Sequence, residues 1–204
     1  MAIHVINEAE RCLQCKKPMC QEGCPIHTPI PQMLKSFKEE RLEEAVDMLF
    51  ANNPLSIVCS LVCNHENQCE GHCVLGRKGQ PVHISSIENY ISDTCLGRIH
   101  IACEPKNGKK VAVIGAGPAG ITIAILLTQK GYSVTIFDSR DKIGGVLQYG
   151  IPEFRLPKSI LERYKKKLRA IGLKVRPNTT IGGAREIKDL FNDEYESICV
   201  GTGL

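Results

Sequence analysis

Apolar residues recur along this chain with two different periods, one in each half. In the first half, Leu42, Ala45, Val46, Leu49 and Phe50 follow the i, i+3, i+4, i+7, i+8 spacing of one helix face. Asn53-Pro54 ends that helix, because a proline ring crowds helical backbone in the residue before it. A shorter helix is expected from Ser85. Ser85-x-x-Glu88 has the form of a capping box, and Ile87 and Ile91 lie on its inner side. Past the polar stretch Glu104-Pro105-Lys106-Asn107-Gly108-Lys109 the pattern changes to short, continuous apolar runs. Residues 110–114, 133–137, 173–175 and 197–200 read as strands. Between them, residues 118–130 read as a helix ended by Gly131. Residues 157–171 read as another, with Ile160, Leu161, Tyr164, Leu168 and Ile171 inward.

Strands alternating with helices predict a parallel, doubly wound sheet. The expected fold class is therefore α + α/β, with an all-helical domain over residues 1–106 and a Rossmann-like domain over residues 107–204. The fourth strand runs directly into Gly201-Thr202-Gly203-Leu204 with no helix after it. The second domain is accordingly expected to be incomplete, the N-terminal part of a longer polypeptide.

Composition narrows the function. A formal charge of +4 on 204 residues is too mild for a nucleic-acid surface. Part of it sits in Lys165, Lys166, Lys167 and Arg169, which read as a solvated helix face. With no Trp and 5% aromatic residues, the chain also lacks the usual base-stacking platform. The first residues have no basic start followed by an apolar run, and no apolar segment approaches the roughly 18 residues of a membrane span. A soluble, cytoplasmic protein with no membrane or nucleic-acid partner is expected, and a reducing compartment disfavours disulfides among its eleven cysteines.

Eight of those cysteines fall in two runs, Cys12-x2-Cys15-x4-Cys20-x3-Cys24-Pro25 and Cys59-x3-Cys63-x5-Cys69-x3-Cys73. A 4Fe-4S cube needs one protein ligand per iron, usually a thiolate; a tight loop supplies several of them and a distant residue the last. The dense, short spacings suit such cubes. Zinc is the rival: Cys12, Cys15, Cys20 and Cys24 would make a four-thiolate site, with His65 or His72 joining the second run. Zinc favours paired two-residue spacings with a long gap between the pairs, which this pattern lacks.

Gly115-Ala116-Gly117-Pro118-Ala119-Gly120 follows the first strand and opens a helix, the context that gives a GxGxxG loop meaning. The first glycine permits the turn, the second lets a pyrophosphate approach the backbone, and the third allows close helix–strand packing. The helix N-terminus offers free N–H groups and a positive dipole end to the phosphates. Asp138, at the end of the second strand, is placed to accept ribose hydroxyls, and its charge would repel a 2′-phosphate. FAD and NAD both fit the loop. Gly144-Gly145 favours FAD if it makes a second close backbone approach, and is otherwise an ordinary turn.

Taken together, the first cysteine run, Asn53-Pro54-Leu55, Cys69-Glu70-Gly71-x-Cys73, the glycine loop and the stretch from Gly144 through Ile151-Pro152-Glu153-Phe154-Arg155-Leu156-Pro157-Lys158 resemble one family. It is that of the small (beta) subunit of NADPH-dependent glutamate synthase. The N-terminal part of dihydropyrimidine dehydrogenase and the large subunit of electron-bifurcating ferredoxin:NADP oxidoreductase share its module. The resemblance covers essentially the whole chain. It implies two 4Fe-4S clusters in the helical domain, one held by Cys12, Cys15, Cys20 and Cys73, the other by Cys24, Cys63, Cys69 and Glu88. Glu88 has a second reading as no more than a capping-box residue. Cys59, Cys95, Cys103 and Cys199 receive no role, and Cys199 is expected to pack in a buried strand. The resemblance further implies FAD on the glycine loop, Asp138 and Gly144-Gly145. An NADPH domain would follow only in the full-length protein, and an electron-accepting partner would be a glutamate synthase large subunit or its equivalent. The expected function is electron transfer from NADPH through FAD to the clusters, with this fragment inactive alone. Pyrimidine-reducing and bifurcating enzymes, a zinc-stabilised scaffold and a redox sensor are the alternatives.

Overall fold

Six helices build the first half of the computed structural model, which describes residues 2–97, 101–183 and 185–203. They are α1 (Ala2–Glu10), α2 (Met19–Glu22), α3 (Ile30–Lys38), α4 (Leu42–Asn52), α5 (Ser56–Val62) and α6 (Ile84–Cys95). Short 3-10 turns cover His65–Asn67 and Val74–Arg77. The chain separates into two compact units, Met1–Ile99 and His100–Leu204. Among the described residues no single helix is long and apolar enough to cross a membrane.

In the helical unit, α4 buries Ala45, Val46, Leu49 and Phe50 and stops at Asn53, as its spacing predicts. Helix α3 buries Ile30, Met33, Leu34 and Phe37, an amphipathic stripe interrupted in sequence by Pro29 and Pro31. Helices α5 and α6 meet through small polar residues. The Ser56 and Ser92 hydroxyls are 3.0 Å apart, and Asn89 donates to Ser60 at 3.1 Å. Short side chains let the two backbones approach closely while every buried hydroxyl named here keeps a partner.

Helix α6 differs from its expectation. It begins at Ile84, with His83 as N-cap, so Ser85 lies inside the first turn and no Ser85–Glu88 capping box forms. Glu70 does the capping from fifteen residues away: its Oε1 accepts the Ser85 N–H at 2.8 Å and the Ser85 hydroxyl at 2.7 Å. A carboxylate at a helix N-terminus satisfies free N–H groups and opposes the dipole, so the local cap is not needed.

The second unit carries a four-stranded parallel sheet in the order β3-β2-β1-β4: β1 (Lys110–Ile114), β2 (Ser133–Phe137), β3 (Lys174–Arg176) and β4 (Ser197–Val200). Its helices are α7 (Pro118–Gln129), α8 (Val146–Tyr149), α9 (Lys158–Ala170) and α10 (Ile187–Asn192). Residues 104–107 are tied to this unit, Glu104 N–H donating to Gln129 O and Asn107 N–H to Gly131 O. Alternate residues of β1 face different helices. Ala112 and Ile114 pack with Leu190 of α10, while a Cβ on Gly120 of α7 would lie 3.3 Å from Val113. The short helix α10 was not visible in the hydrophobic pattern. Cys199 is half-exposed rather than buried, because β4 forms the sheet edge among the described residues.

Helices α7 and α9 end in the same way. After each, a glycine with positive φ (Gly131 at +79°, Gly172 at +81°) donates to the carbonyl three residues back, and the next N–H reaches five residues back. These are Schellman closures. Their surroundings differ: a Cβ on Gly172 meets nothing within 4 Å, whereas one on Gly131 would sit 2.2 Å from the Pro105 carbonyl oxygen. Gly172→Ala is therefore expected to cost only the left-handed backbone, about 1–2 kcal/mol. Gly131→Ala adds an overpacking cost of roughly 1–3 kcal/mol. Urea unfolding of both variants should separate them in that order; equal losses would show that residues 104–107 yield freely.

Candidate metal centres and nucleotide site

Four thiols from two distant segments line one pocket of the helical unit: Cys12, Cys15, Cys20 and Cys73. Cys12 follows α1, its N–H bonded to Ala9 O at 3.1 Å; Cys20 lies in α2; Cys73 precedes the second 3-10 turn. Arg11 draws the segments together. It donates to the carbonyls of Gln80 (2.5 Å) and Pro81 (3.1 Å), while Glu8 accepts the His83 N–H at 2.8 Å. The rest of the wall is apolar, including Leu13, Met19, Pro31 and Val82. Burial pushes the Cys20 thiol up to about 11, and the nearby Cys12 and Cys73 charges push the same way. None of the described residues that line this pocket is Lys or Arg.

Cys24, Cys63, Cys69 and Glu88 lie close enough for their charges to act on one another. Cys24 follows α2 and contacts the Thr28 hydroxyl at 3.3 Å; Cys63 caps the C-terminus of α5; Glu88 comes from α6. The loop from Cys63 to Cys73 is wound tightly around one acceptor, the His65 carbonyl, which takes the N–H groups of Gln68, Glu70 and Gly71. Gly71 has no room for a side chain, since a Cβ would lie 1.8 Å from Glu66 O. Burial raises Cys69 to about 12, followed by the charges of Glu70 and Glu88, with Cys24 contributing. Glu88 is 9% exposed, and burial, then the Cys59 charge, lifts its carboxyl to about 8. Cys63 is lowered, first by a hydrogen bond from Cys59, against burial and the charges of Glu88, Cys69 and Cys24. The bond is reciprocal in effect, and Cys59 is raised.

The two sets exchange members relative to the sequence runs: Cys73 joins the first run and Cys24 the second. Among the described residues, no three His, Cys, Asp or Glu side chains close on a point as around a single metal ion. One buried side-chain nitrogen among them has no hydrogen-bond partner, His65 Nε2, in the loop between Cys63 and Cys69. From the sequence alone Glu70, which caps α6, has no part, His65 stands only as a rival zinc ligand, and Cys59 has no role. The last carried a legible signal, its position one helical turn before Cys63.

In the second unit the glycine loop connects β1 to α7 at the point where strand order reverses, between β1 and β4. Gly115 lies against Gly201, where a Cβ would be 2.2 Å from the carbonyl oxygen, and a Cβ on Gly120 would be 1.9 Å from Gly115 O. These two serve packing. Gly117, the N-cap of α7, differs: a Cβ there meets nothing within 4 Å, so the loop stands open above it. Pro118 and Ala119 begin α7, and Ala116 is fully buried. Asp138 braces the loop, its Oδ2 accepting the Ala116 N–H at 2.5 Å and its Oδ1 the Arg140 N–H at 2.8 Å. Each oxygen retains a second lone pair for a hydroxyl. The Gly144-Gly145 turn folds back onto the same loop. Gly144 N–H donates to Ala116 O at 2.7 Å, and a Cβ on Gly145 would lie 2.9 Å from the Gly117 Cα. Lys158 holds the following segment through Leu147 O and Ile151 O.

Comparison with known proteins matches both units. Residues 2–98 match the family model described as dihydropyrimidine dehydrogenase domain II, 4Fe-4S cluster, and residues 113–159 the NAD(P)-binding Rossmann-like domain. The chain is 38% identical over 199 residues to the glutamate synthase [NADPH] small chain of Escherichia coli K12, covering 96% of this chain and 42% of that one. It is 39% identical to the small chain of Azospirillum brasilense, over 97% and 42%. To the NAD-dependent dihydropyrimidine dehydrogenase subunit PreT of Salmonella typhimurium it is 33% identical, over 98% and 48%. It thus spans less than half the length of these relatives. Along nearly all of its own length, the chain is similar to part of each of these relatives.

Proposed function

We propose that this chain is the electron-transfer module of an NAD(P)H-dependent, cytoplasmic oxidoreductase of the glutamate synthase small-chain type. The observation that carries the reading is the sorting of seven cysteines and Glu88 into two sets of four, each drawn from distant parts of the helical unit. In this reading Cys12, Cys15, Cys20 and Cys73 hold one 4Fe-4S cluster, and Cys24, Cys63, Cys69 and Glu88 the other. The donor chemistry fits: crowded, buried thiols suit a group that brings its own cationic irons. The unpartnered His65 Nε2 fits a neighbour of that kind.

In the sheet unit, read as the N-terminal part of a doubly wound domain, Gly117 and the start of α7 would receive the pyrophosphate of FAD. Asp138 would receive a ribose, and Gly144-Gly145 would make the second backbone approach. When bound, FAD and the clusters supply two- and one-electron carrier chemistry between NADPH and a partner subunit, and no side chain of this chain needs to act as acid, base or nucleophile. The chain's own residues bind, orient and exclude water. A pyrimidine-reducing role is the second reading, favoured by the similarity to PreT.

Anaerobic purification with iron, acid-labile sulfide, zinc and flavin analysis tests the proposal. About eight irons and eight sulfides per chain are expected; zinc without sulfide would overturn it. Cys73→Ser and Cys12→Ser should abolish the same cluster signal, leaving about four irons, and Cys69→Ser should abolish the other. Pairing of Cys73 with Cys69 instead would sink the assignment. Gly117→Ala should leave iron content and folding intact, since its Cβ meets no protein atom. A methyl group under the pyrophosphate costs about 1–3 kcal/mol by overpacking, so flavin affinity should fall about five- to 150-fold. Undiminished flavin binding would place the phosphates elsewhere.

A further inference from the structure

Gln14 lies in the shortest loop of the first set, between Cys12 and Cys15, with its backbone in the left-handed region at φ +51°. Glycine takes that conformation freely, whereas a residue with a Cβ is strained there. Strain of this kind persists where something else over-determines the position, and the side chain shows what that is. Gln14 Nε2 donates to Cys12 Sγ at 3.5 Å. Leu13, the residue between them, is exposed, so the loop turns Leu13 outward and brings Gln14 back onto the sulfur. Cys12 faces the pocket it shares with Cys15, Cys20 and Cys73, and Gln14 is not among the described residues that line it. The amide therefore reaches the sulfur from outside the pocket. A primary amide carries its donors at any pH, and a sulfur bound to iron offers only lone pairs, which the nitrogen end of the amide suits.

We propose that Gln14 is a positioning residue whose N–H···S hydrogen bond to Cys12 raises the reduction potential of the cluster that Cys12 holds. The inference rests on the reading of Cys12 as a ligand. That set has four thiols without Gln14, so the amide acts through the sulfur and is not required on an iron. Reduction adds an electron to an anionic group, and a donor on a ligand sulfur stabilises the added charge and favours the reduced state. The bond also closes the loop on itself and fixes the direction from which the sulfur is approached. A glycine at position 14 would relieve the backbone but supply no donor. No covalent bond forms or breaks; the effect is wholly electrostatic.

The test compares wild type with Gln14→Ala and Gln14→Gly as anaerobically purified, cluster-loaded proteins. Iron and sulfide are measured first, then a potentiometric titration is followed by electron paramagnetic resonance, the two signals being assigned with Cys12→Ser and Cys69→Ser. Both variants lack the amide, but only Gln14→Gly relieves the backbone. Each should keep full iron and sulfide, shift the midpoint of the Cys12 cluster to more negative potential by a similar amount and leave the other cluster unmoved. Resistance to urea should differ between them, Gln14→Gly being the more stable. After exchange into heavy water, pulsed resonance should detect a deuteron coupled to the Cys12 cluster in wild type that is missing from both variants.

An unmoved midpoint with full iron, or the same deuteron couplings in all three proteins, would overturn the inference while leaving the cluster assignment intact. A shift in Gln14→Ala with a wild-type midpoint in Gln14→Gly would assign the effect to the backbone and overturn it as well. So would loss of iron from a folded Gln14→Gly, which would make the side chain necessary for holding the cluster. Too little iron in wild type would instead remove the reading on which the inference rests. Should Gln14→Ala fail to fold, the midpoint and deuteron couplings of Gln14→Gly decide the matter.

Discussion

Seven thiols and one carboxyl brought under the surface of a helical unit of fewer than a hundred residues repel one another as soon as they ionise. Three of the four resolved shifts in the two sets reflect this: Cys20, Cys69 and Glu88 are raised, burial first and like charge after it, while Cys63 is lowered by its hydrogen bond with Cys59. Groups that resist ionisation in the bare chain become good ligands once a cation neutralises them, because the same low dielectric that penalises lone charges strengthens their attraction to iron. The helical unit is in this sense assembled around an electrostatic debt, and its α-helices and loops act to hold the donors in place against that repulsion.

That holding is done mostly by backbone. The His65 carbonyl gathers three N–H groups to wind the Cys63–Cys73 loop, Gly71 removes a side chain that the winding cannot accommodate, and Arg11 ties the Cys12 segment to the chain beyond Cys73 through two carbonyls. Glu70 links loop and helix. Its carboxylate caps α6, the helix that carries Glu88, so one side chain ties the cysteine loop to that helix. The sheet unit follows the same economy at its loop. Asp138 and the Gly144 N–H fix the Ala116 peptide from two sides, which leaves Gly117 open and preorganised.

Local signals in the sequence reached the parts of this arrangement that local forces determine. The stripe of α4, the four strands and the glycine-ended helices follow from periodicity and from φ > 0 positions. What escaped was non-local. The start of α6 looked like a self-contained capping box because Ser85 and Glu88 have the right types at the right spacing; a carboxylate fifteen residues away took the role. Helix α3 is amphipathic, but Pro29 and Pro31 disguise a first turn in which proline is tolerated. Helix α10 has six residues and one buried leucine, too few to show a period. The partition of the cysteines into sets came from family resemblance, since spacing alone permits Cys24 to close the first run.

In the proposed partition Glu88 serves the site rather than the helix end. Freed from capping by Glu70, it is an acid in a helix interior, 9% exposed, with its carboxyl raised to about 8 by burial and by Cys59. Such a residue destabilises the bare unit unless something positive reaches it. A fourth thiolate in its place would give both sets the same donors, and potentials that differ only by surroundings. With a carboxylate in one set and four thiols in the other, the two sets of the proposed assignment would present unlike donors within one small unit. Two carriers at unequal potentials would give electron flow a direction, and in the proposed assignment Glu88, the one donor that is not a thiol, would supply that inequality.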